Sequence, residues 1–196
     1  MIGILALQGD YFAHGRVLDR LGRKYIYVKT PAELALIDSL ILPGGESTTM
    51  RKLAKANGLW DKLKVFRGPI MGTCAGLILL AKKIENPPEE SLRLLDVTIA
   101  RNGYGSQINS FTAQSDYLPE HTRIEAVFIR APRIISIGHD VETIVKLKKE
   151  PIGVRQNNII ALTFHPELTD DSTLHELFLD MIKTISRPAM HKDVQA

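Results

Sequence analysis

The chain contains a single cysteine, Cys74, set in Gly72-Thr73-Cys74-Ala75-Gly76. A short apolar run precedes this pentapeptide and an apolar helical pattern follows it, the layout of a strand-to-helix elbow with a nucleophile at its tip. Small neighbours are needed there because the nucleophile occupies a crowded turn with its side chain pushed outward. The start of the following helix favours a thiolate, and the N–H of Ala75 is placed to meet a developing oxyanion. The same five residues also fit a structural cysteine between two ordinary glycines, since free cysteine is among the most buried residue types.

A nucleophilic thiol needs a base, and the base needs an orienting group. His165-Pro166-Glu167 offers both. Pro166 biases His165 toward extended backbone, where side chains two positions apart share a side, so Glu167 is expected beside the imidazole. A third segment, Leu42-Pro43-Gly44-Gly45-Glu46-Ser47-Thr48-Thr49, reads as a strand end, a glycine turn and a helix start. Paired glycines let backbone N–H groups face a substrate, and Ser47 or Thr48 is expected to cap the helix. Taken singly, each segment has a plain alternative: a surface histidine–carboxylate pair, or a capped turn.

The elements that must position these residues follow from hydrophobic periodicity. Short apolar runs at 2–7, 24–28, 39–42 and 69–72 read as strands, alternating with helical patterns at 12–21 and 49–63, the latter interrupted at Asn57-Gly58. That alternation predicts βαβ units around a parallel sheet. The stretch 74–83 reads as a helix with Lys82 and Lys83 at its C-terminus. From 96 to 154 the pattern becomes β-rich, with strands expected at 97–100, 108–111, 124–129, 134–136 and 141–147. A buried strand at 158–164 and a closing helix at 174–185 follow, and 187–196 lacks an apolar pattern and is expected to be a mobile tail.

The 196 residues suit one compact domain, read as 1–186 plus the tail. With 44% hydrophobic and 24% charged residues the chain is not expected to be disordered, and a net charge of +3 spread along it gives no nucleic-acid footprint. One cysteine excludes an intrachain disulfide and a thiolate-rich metal site, and suits a reducing cytoplasm. No apolar run approaches the roughly 20 residues of a membrane span, and no leader pattern is read at Met1. Histidines 14, 121, 139, 175 and 191 lack a comparable partner and are read as structural or solvent-facing. No histidine–carboxylate spacing suggests a metal.

The three motifs together, 42–49, Gly-Thr-Cys-Ala-Gly-Leu at 72–77 and Phe-His-Pro-Glu-Leu at 164–168, strongly resemble the class I, triad-type glutamine amidotransferases. Ala6-Leu7-Gln8-Gly9, Ala100-Arg101-Asn102-Gly103-Tyr104-Gly105 and Phe128-Ile129-Arg130-Ala131-Pro132 make the likeness closest to glutaminase subunits of two-component pyridoxal 5′-phosphate synthases. The resemblance covers roughly residues 2–186. It implies a flavodoxin-like α/β domain with a mostly parallel central sheet, helices on both faces and a β-rich insert. It also implies Cys74 as nucleophile, His165 as general acid/base and Glu167 as its orienting carboxylate. Gly45, Glu46 and Ser47 would line the glutamine site, Arg101, Ile129 and Arg130 would hold the substrate, and the backbones of Gly45 and Ala75 would form the oxyanion hole. Gln8 would lie near that hole. Ser106 stands where many relatives carry arginine, which puts the contacts of its loop in question. The implied reaction hydrolyses L-glutamine without a cofactor and passes ammonia to a separate (β/α)₈ synthase subunit. Two alternatives remain open at this point: the glutaminase of another amidotransferase, such as that of imidazole glycerol phosphate synthesis, and a non-catalytic module of the same fold.

Overall fold

In the computed structural model, which describes residues 1–101, 103 and 110–186, the central strands are apolar on both sides. In β3 (Ser39–Leu42), Leu40 and Leu42 face one core cluster and Ile41 the other; in β12 (Ile159–Leu162), Ile159 and Ala161 oppose Ile160 and Leu162 in the same way. Strands buried on both faces need helices on both faces. β1 (Ile2–Leu5), β2 (Tyr25–Val28) and β4 (Ile70–Thr73) complete a parallel block in the order β2-β1-β3-β4-β12. This is the strand order of flavodoxin-like sheets, and it meets the expectation from the sequence.

On one face, Leu18 of α1 (Tyr11–Arg20) and Phe178 of α6 (Thr173–Ser186) reach the core. The other face is covered by α2 (Pro31–Leu34), α3 (Ser47–Ala56), α4 (Leu59–Lys64) and α5 (Ala75–Leu80). The expected interruption at Asn57-Gly58 is the break between α3 and α4, where Gly58 takes φ +77. A left-handed residue there costs glycine least.

The β-rich segment divides. β11 (Glu150–Gln156), β10 (Glu142–Leu147), β7 (Ser110–Tyr117) and β8 (Thr122–Ile129) extend the central sheet antiparallel beyond β12, giving nine strands among the described residues. β5 (Ala81–Glu85), β6 (Leu95–Ala100) and β9 (Arg133–Ile137) form a separate three-stranded sheet. The expected helix over 74–83 is therefore too long. α5 stops at Leu80 because Ala81 turns extended, with ψ 144, to pair with β6. Lys82 and Lys83 lie on β5, ion-paired to Asp96 at 2.7 Å and Glu85 at 2.8 Å, and are not helix-terminal charges. Residues 102, 104–109 and 187–196 lie outside the described residues, and with them much of the strand expected at 108–111, the Ser106 departure and the tail.

Candidate active site

The loops after β1, β3, β4 and β12 all leave the sheet at its carboxyl edge, where open α/β sheets bind ligands. Cys74 forms the β4–α5 elbow with φ 47 and ψ −99, a conformation that costs a non-glycine residue energy and persists only when its surroundings enforce it. Its N–H donates to the Leu162 carbonyl at 2.8 Å. A methyl group on Gly76 would lie 2.1 Å from the Leu42 carbonyl oxygen, and one on Gly72 would lie 2.6 Å from Leu80 Cδ1. Helix α5 thus crosses β3 at a distance only glycine allows, which is why the cysteine needs small flanks. The thiol Sγ lies 3.8 Å from the Ile129 carbonyl oxygen.

His165 is anchored by its N–H to the Val127 carbonyl at 2.8 Å, and its Nδ1 meets Glu167 Oε1 at 2.8 Å. The pair forms as expected, on a different backbone: Pro166–Leu168 is a 3₁₀ turn that folds Glu167 back under the ring, where an extended segment was expected. Burial pulls the His165 pKa down, but its contacts with Cys74 and Glu167 outweigh that and hold it up at about 10. For Glu167, burial pushes upward, and the neighbouring His14 and His165 overcome it, so the carboxyl is held down at about 2. An imidazolium facing a buried carboxylate on one side and a thiol on the other can stabilise a thiolate, and can deliver a proton to a leaving amine.

Around this pair the glycine turn packs closely. A methyl on Gly44 would lie 2.1 Å from His165 Cε1. The Gly44 carbonyl accepts from the Asp10 N–H at 3.2 Å, and the Glu46 N–H donates to Gln8 Oε1 at 2.6 Å. Gly45 between them has φ +149, a conformation other residues rarely adopt. The expected side-chain cap is absent: Glu46 is the N-cap without a side-chain bond, Ser47 is buried with Oγ unpartnered, and Thr48 Oγ1 contacts Glu89 at 3.2 Å. Arg101 reaches this turn by pairing with Glu89 and with Thr48 Oγ1 at 3.3 Å, while Arg51 holds Glu89 at 2.9 Å. Ile129 presents its carbonyl to the thiol. Arg130 beside it is exposed and takes φ 42.

Two histidines read as structural or solvent-facing prove to lie directly behind Thr73 and Glu167. His14 Nε2 is 3.2 Å from Thr73 Oγ1 and 3.5 Å from Glu167 Oε1, and its Nδ1 is 3.1 Å from His175 Nε2. All of these groups are buried. The sequence signal available was position alone, on the apolar faces of two amphipathic helices. His121 and His139 are exposed, and His191 lies outside the described residues. Among the described residues no group of three or more His, Cys, Asp or Glu side chains is arranged to hold a metal, and no helix is long and apolar enough to cross a membrane.

Residues 4–184 match the SNO glutamine amidotransferase family. The chain belongs to that family. It is 45% identical over 186 residues to the pyridoxal 5′-phosphate synthase subunit PdxT of Fervidobacterium nodosum, covering 93% of this chain and 97% of that one. It is 48% identical over 183 residues to the PdxT subunit of Dictyoglomus turgidum, covering 91% and 96%. A solved structure described as a glutamine amidotransferase superposes with a TM-score of 0.87 at 39% identity, over 93% of this chain and 98% of the other. The glutamine amidotransferase is thus matched in family, sequence and fold over nearly its whole length.

Proposed function

We propose that this amidotransferase hydrolyses L-glutamine through Cys74, His165 and Glu167 and supplies the ammonia to a pyridoxal 5′-phosphate synthase. The observation that carries the mechanism is the strained Cys74 elbow abutting an imidazole that is itself bonded to the buried Glu167 at 2.8 Å. The Cys74 sulfur attacks the side-chain amide carbon of glutamine, forming a C–S bond. The carbonyl oxygen becomes an oxyanion, received by the N–H groups of Ala75 and Gly45. His165 gives its proton to the departing nitrogen as the C–N bond breaks, leaving a γ-glutamyl thioester and ammonia. Neutral His165 then takes a proton from water, whose oxygen attacks the thioester and releases glutamate and the thiol.

Arg101, Arg130 and the Ile129 backbone hold the amino-acid end of glutamine, with Gly45, Glu46 and Ser47 on the opposite wall. A guanidinium suits an α-carboxylate, and backbone carbonyls or a carboxylate suit its ammonium. Gln8 fixes the turn by accepting from Glu46, a positioning task rather than a contact with glutamine. No cofactor enters these steps. The partner fits a (β/α)₈ synthase subunit in the cytoplasm, and the relatives named as synthase subunits favour that pathway over imidazole glycerol phosphate synthesis. The intact Cys74–His165–Glu167 arrangement argues against a non-catalytic module.

The Gly44–Gly45 peptide supplies a means of control. Its carbonyl is engaged by Asp10, so turning the Gly45 N–H toward a substrate oxygen is coupled to the loop after β1. Docking of the synthase supplies that adjustment, and the isolated chain is slow. The test is reconstitution with a synthase subunit, comparing glutamine with an ammonium salt as nitrogen source. The wild-type chain should support both, and Cys74→Ala only the ammonium-dependent reaction. Glutamine-dependent synthesis by Cys74→Ala would refute the proposal, and equal glutaminase kcat with and without saturating synthase would refute the partner gating.

A further inference from the structure

Behind Glu167 lies a row of buried polar groups that the three catalytic side chains do not account for. His175 on α6, His14 on α1 and Thr73 at the end of β4 bring three separate elements to one carboxylate oxygen. Glu167 Oε1 pairs with His165 Nδ1 at 2.8 Å and accepts from Thr73 Oγ1 at 3.5 Å, and His14 Nε2 lies 3.5 Å from it. The protons in this row can be assigned from its end. His175 Nδ1 is buried and has no hydrogen-bond partner. An orphaned buried N–H is rarer and costlier than an unfilled acceptor, so Nδ1 is bare and Nε2 carries the proton. His175 Nε2–H then donates to His14 Nδ1 at 3.1 Å. His14 must therefore carry its own proton on Nε2, directed to Thr73 Oγ1 at 3.2 Å, with Glu167 Oε1 close by at 3.5 Å. Thr73, having accepted from His14, turns its hydroxyl proton to Glu167. Every donor in the row points the same way.

We propose that His14, set in its tautomer by His175 and assisted by Thr73, is a positioning residue that fixes Glu167 as a carboxylate facing His165. This rests on the triad assignment above and adds to it a neutral donor relay. Neutrality matters, because a cationic His14 would compete with His165 for the same carboxylate. Burial lowers the pKa of both His14 and His175, which keeps the relay uncharged. The groups facing it are Asp10 ahead of α1, Arg20 on α1, and Glu167 and His165 after β12. Of these, Glu167 and Asp10 oppose the lowering and do not reverse it. The relay therefore stabilises the carboxylate with oriented dipoles while leaving His165 as its one cationic partner.

Two variants separate this role from simple packing. In His14→Leu the cavity is filled and the donor lost. In His14→Gln the side-chain carbonyl can accept from His175 while the NH₂ group donates to Thr73 and Glu167. With saturating synthase present, His14→Leu should lower kcat roughly tenfold or more with little change in KM for glutamine, and should move the acid limb of the kcat profile up by about one pH unit. His14→Gln should recover most of kcat and the wild-type limb. Long-range ¹H–¹⁵N spectra of the wild-type chain near neutral pH should show His14 and His175 each as the Nε2–H tautomer. An Nδ1–H or doubly protonated His14 would overturn the relay, as would wild-type kcat and pH profile in His14→Leu. Full glutaminase activity in Cys74→Ala would instead overturn the triad assignment, and it would leave the tautomer spectra unchanged, so the two failures are distinguishable.

Discussion

The two ends of the site are built in opposite ways. At the thiol end, Cys74, His165, Glu167, Thr73, His14 and His175 are all buried, held by backbone bonds to Leu162 and Val127 and by contacts that arrive from four different elements. At the end proposed to receive the amino-acid group, Thr48, Arg51, Glu89 and Arg101 form an ion-paired cluster whose charged side chains keep contact with solvent, with Arg101 at 22% and Glu89 at 14% exposure. In the proposed mechanism the difference separates chemistry from recognition. Groups that must stabilise charge in a transition state gain from low dielectric and from having no reorganisation left to do. Groups that admit and release a zwitterion gain from staying exchangeable, because a partly hydrated ion pair can be displaced at small cost.

If the thiol end is preorganised, weakening its orientation should cost far more than altering the ionic end. Glu167→Gln keeps the shape of the side chain and removes the charge that holds His165 up. Turnover should fall by about 10²–10⁴ in kcat, with the far-ultraviolet spectrum unchanged, by analogy with carboxylate removal in serine triads. A variant with wild-type kcat would show that the orientation of His165 does not depend on Glu167.

The elbow can be stressed without touching a reacting group. Gly76→Ala drives a methyl against the Leu42 carbonyl, a backbone atom that cannot swing aside, and should destabilise the fold by about 1–3 kcal/mol or more. Gly72→Ala meets the movable end of the Leu80 side chain at 2.6 Å and backbone only at the looser 2.9 Å of the Gly76 carbonyl carbon, and should cost less. Thermal melting compares the two directly, at roughly 2–4 °C for each kcal/mol in a chain of this size. Equal melting temperatures would mean that the close crossing of α5 over β3 is not what requires glycine.

Acid should expose the buried histidines. His175 is lowered from 6.5 to about 3, first by burial and then by His14. Between those values the unfolded chain binds a proton that the folded chain refuses, so stability should fall as pH drops from 6.5 toward 3. His165 acts in the opposite sense, since its raised pKa contributes stability below 6.5 that is lost only as pH rises toward about 10. In denaturant titrations over the acid range, His175→Leu should flatten the loss relative to wild type, and an unchanged slope would place the acid-sensitive groups elsewhere.

The smallest effect belongs to the ionic end. Glu89→Gln removes the carboxylate paired with Arg101, the proposed partner of the glutamine carboxylate, so KM for glutamine should change by less than about tenfold while kcat holds. A large kcat loss in this variant would erase the distinction between the two ends.

Much of the thiol end is legible in the sequence because its demands are local. An elbow nucleophile needs glycines at fixed offsets, and the His165–Glu167 pair lies within three residues, so spacing alone brings them forward. The parallel strands are equally plain, since β12 is apolar throughout and β3 is apolar at every position but Ser39. The relay behind them is not legible, because His14 and His175 stand 161 positions apart and meet only when α1 and α6 pack on the same sheet face. Ala81-Lys82-Lys83 suits a helix by its sequence, and only pairing with a distant β6 makes it extended and ends α5 at Leu80. Strand β11 is not legible in the sequence because Pro151 and Gly153 weaken a strand pattern, whereas its neighbours β10 and β12 supply the order. Thr48 shows the same limit at the ionic end. Its spacing suited a helix cap, but Glu89, from a loop far along the chain, takes its hydroxyl.

The central claim is that Cys74 carries the γ-glutamyl group between the two half-reactions. It is tested most directly by acid-quenching the synthase-activated wild-type chain during turnover of isotopically labelled glutamine and locating the label by peptide mass spectrometry. The account predicts a labelled glutamyl thioester on the peptide containing Cys74, sensitive to hydroxylamine and absent in Cys74→Ala. Label on another residue, or steady turnover by Cys74→Ala, would contradict it.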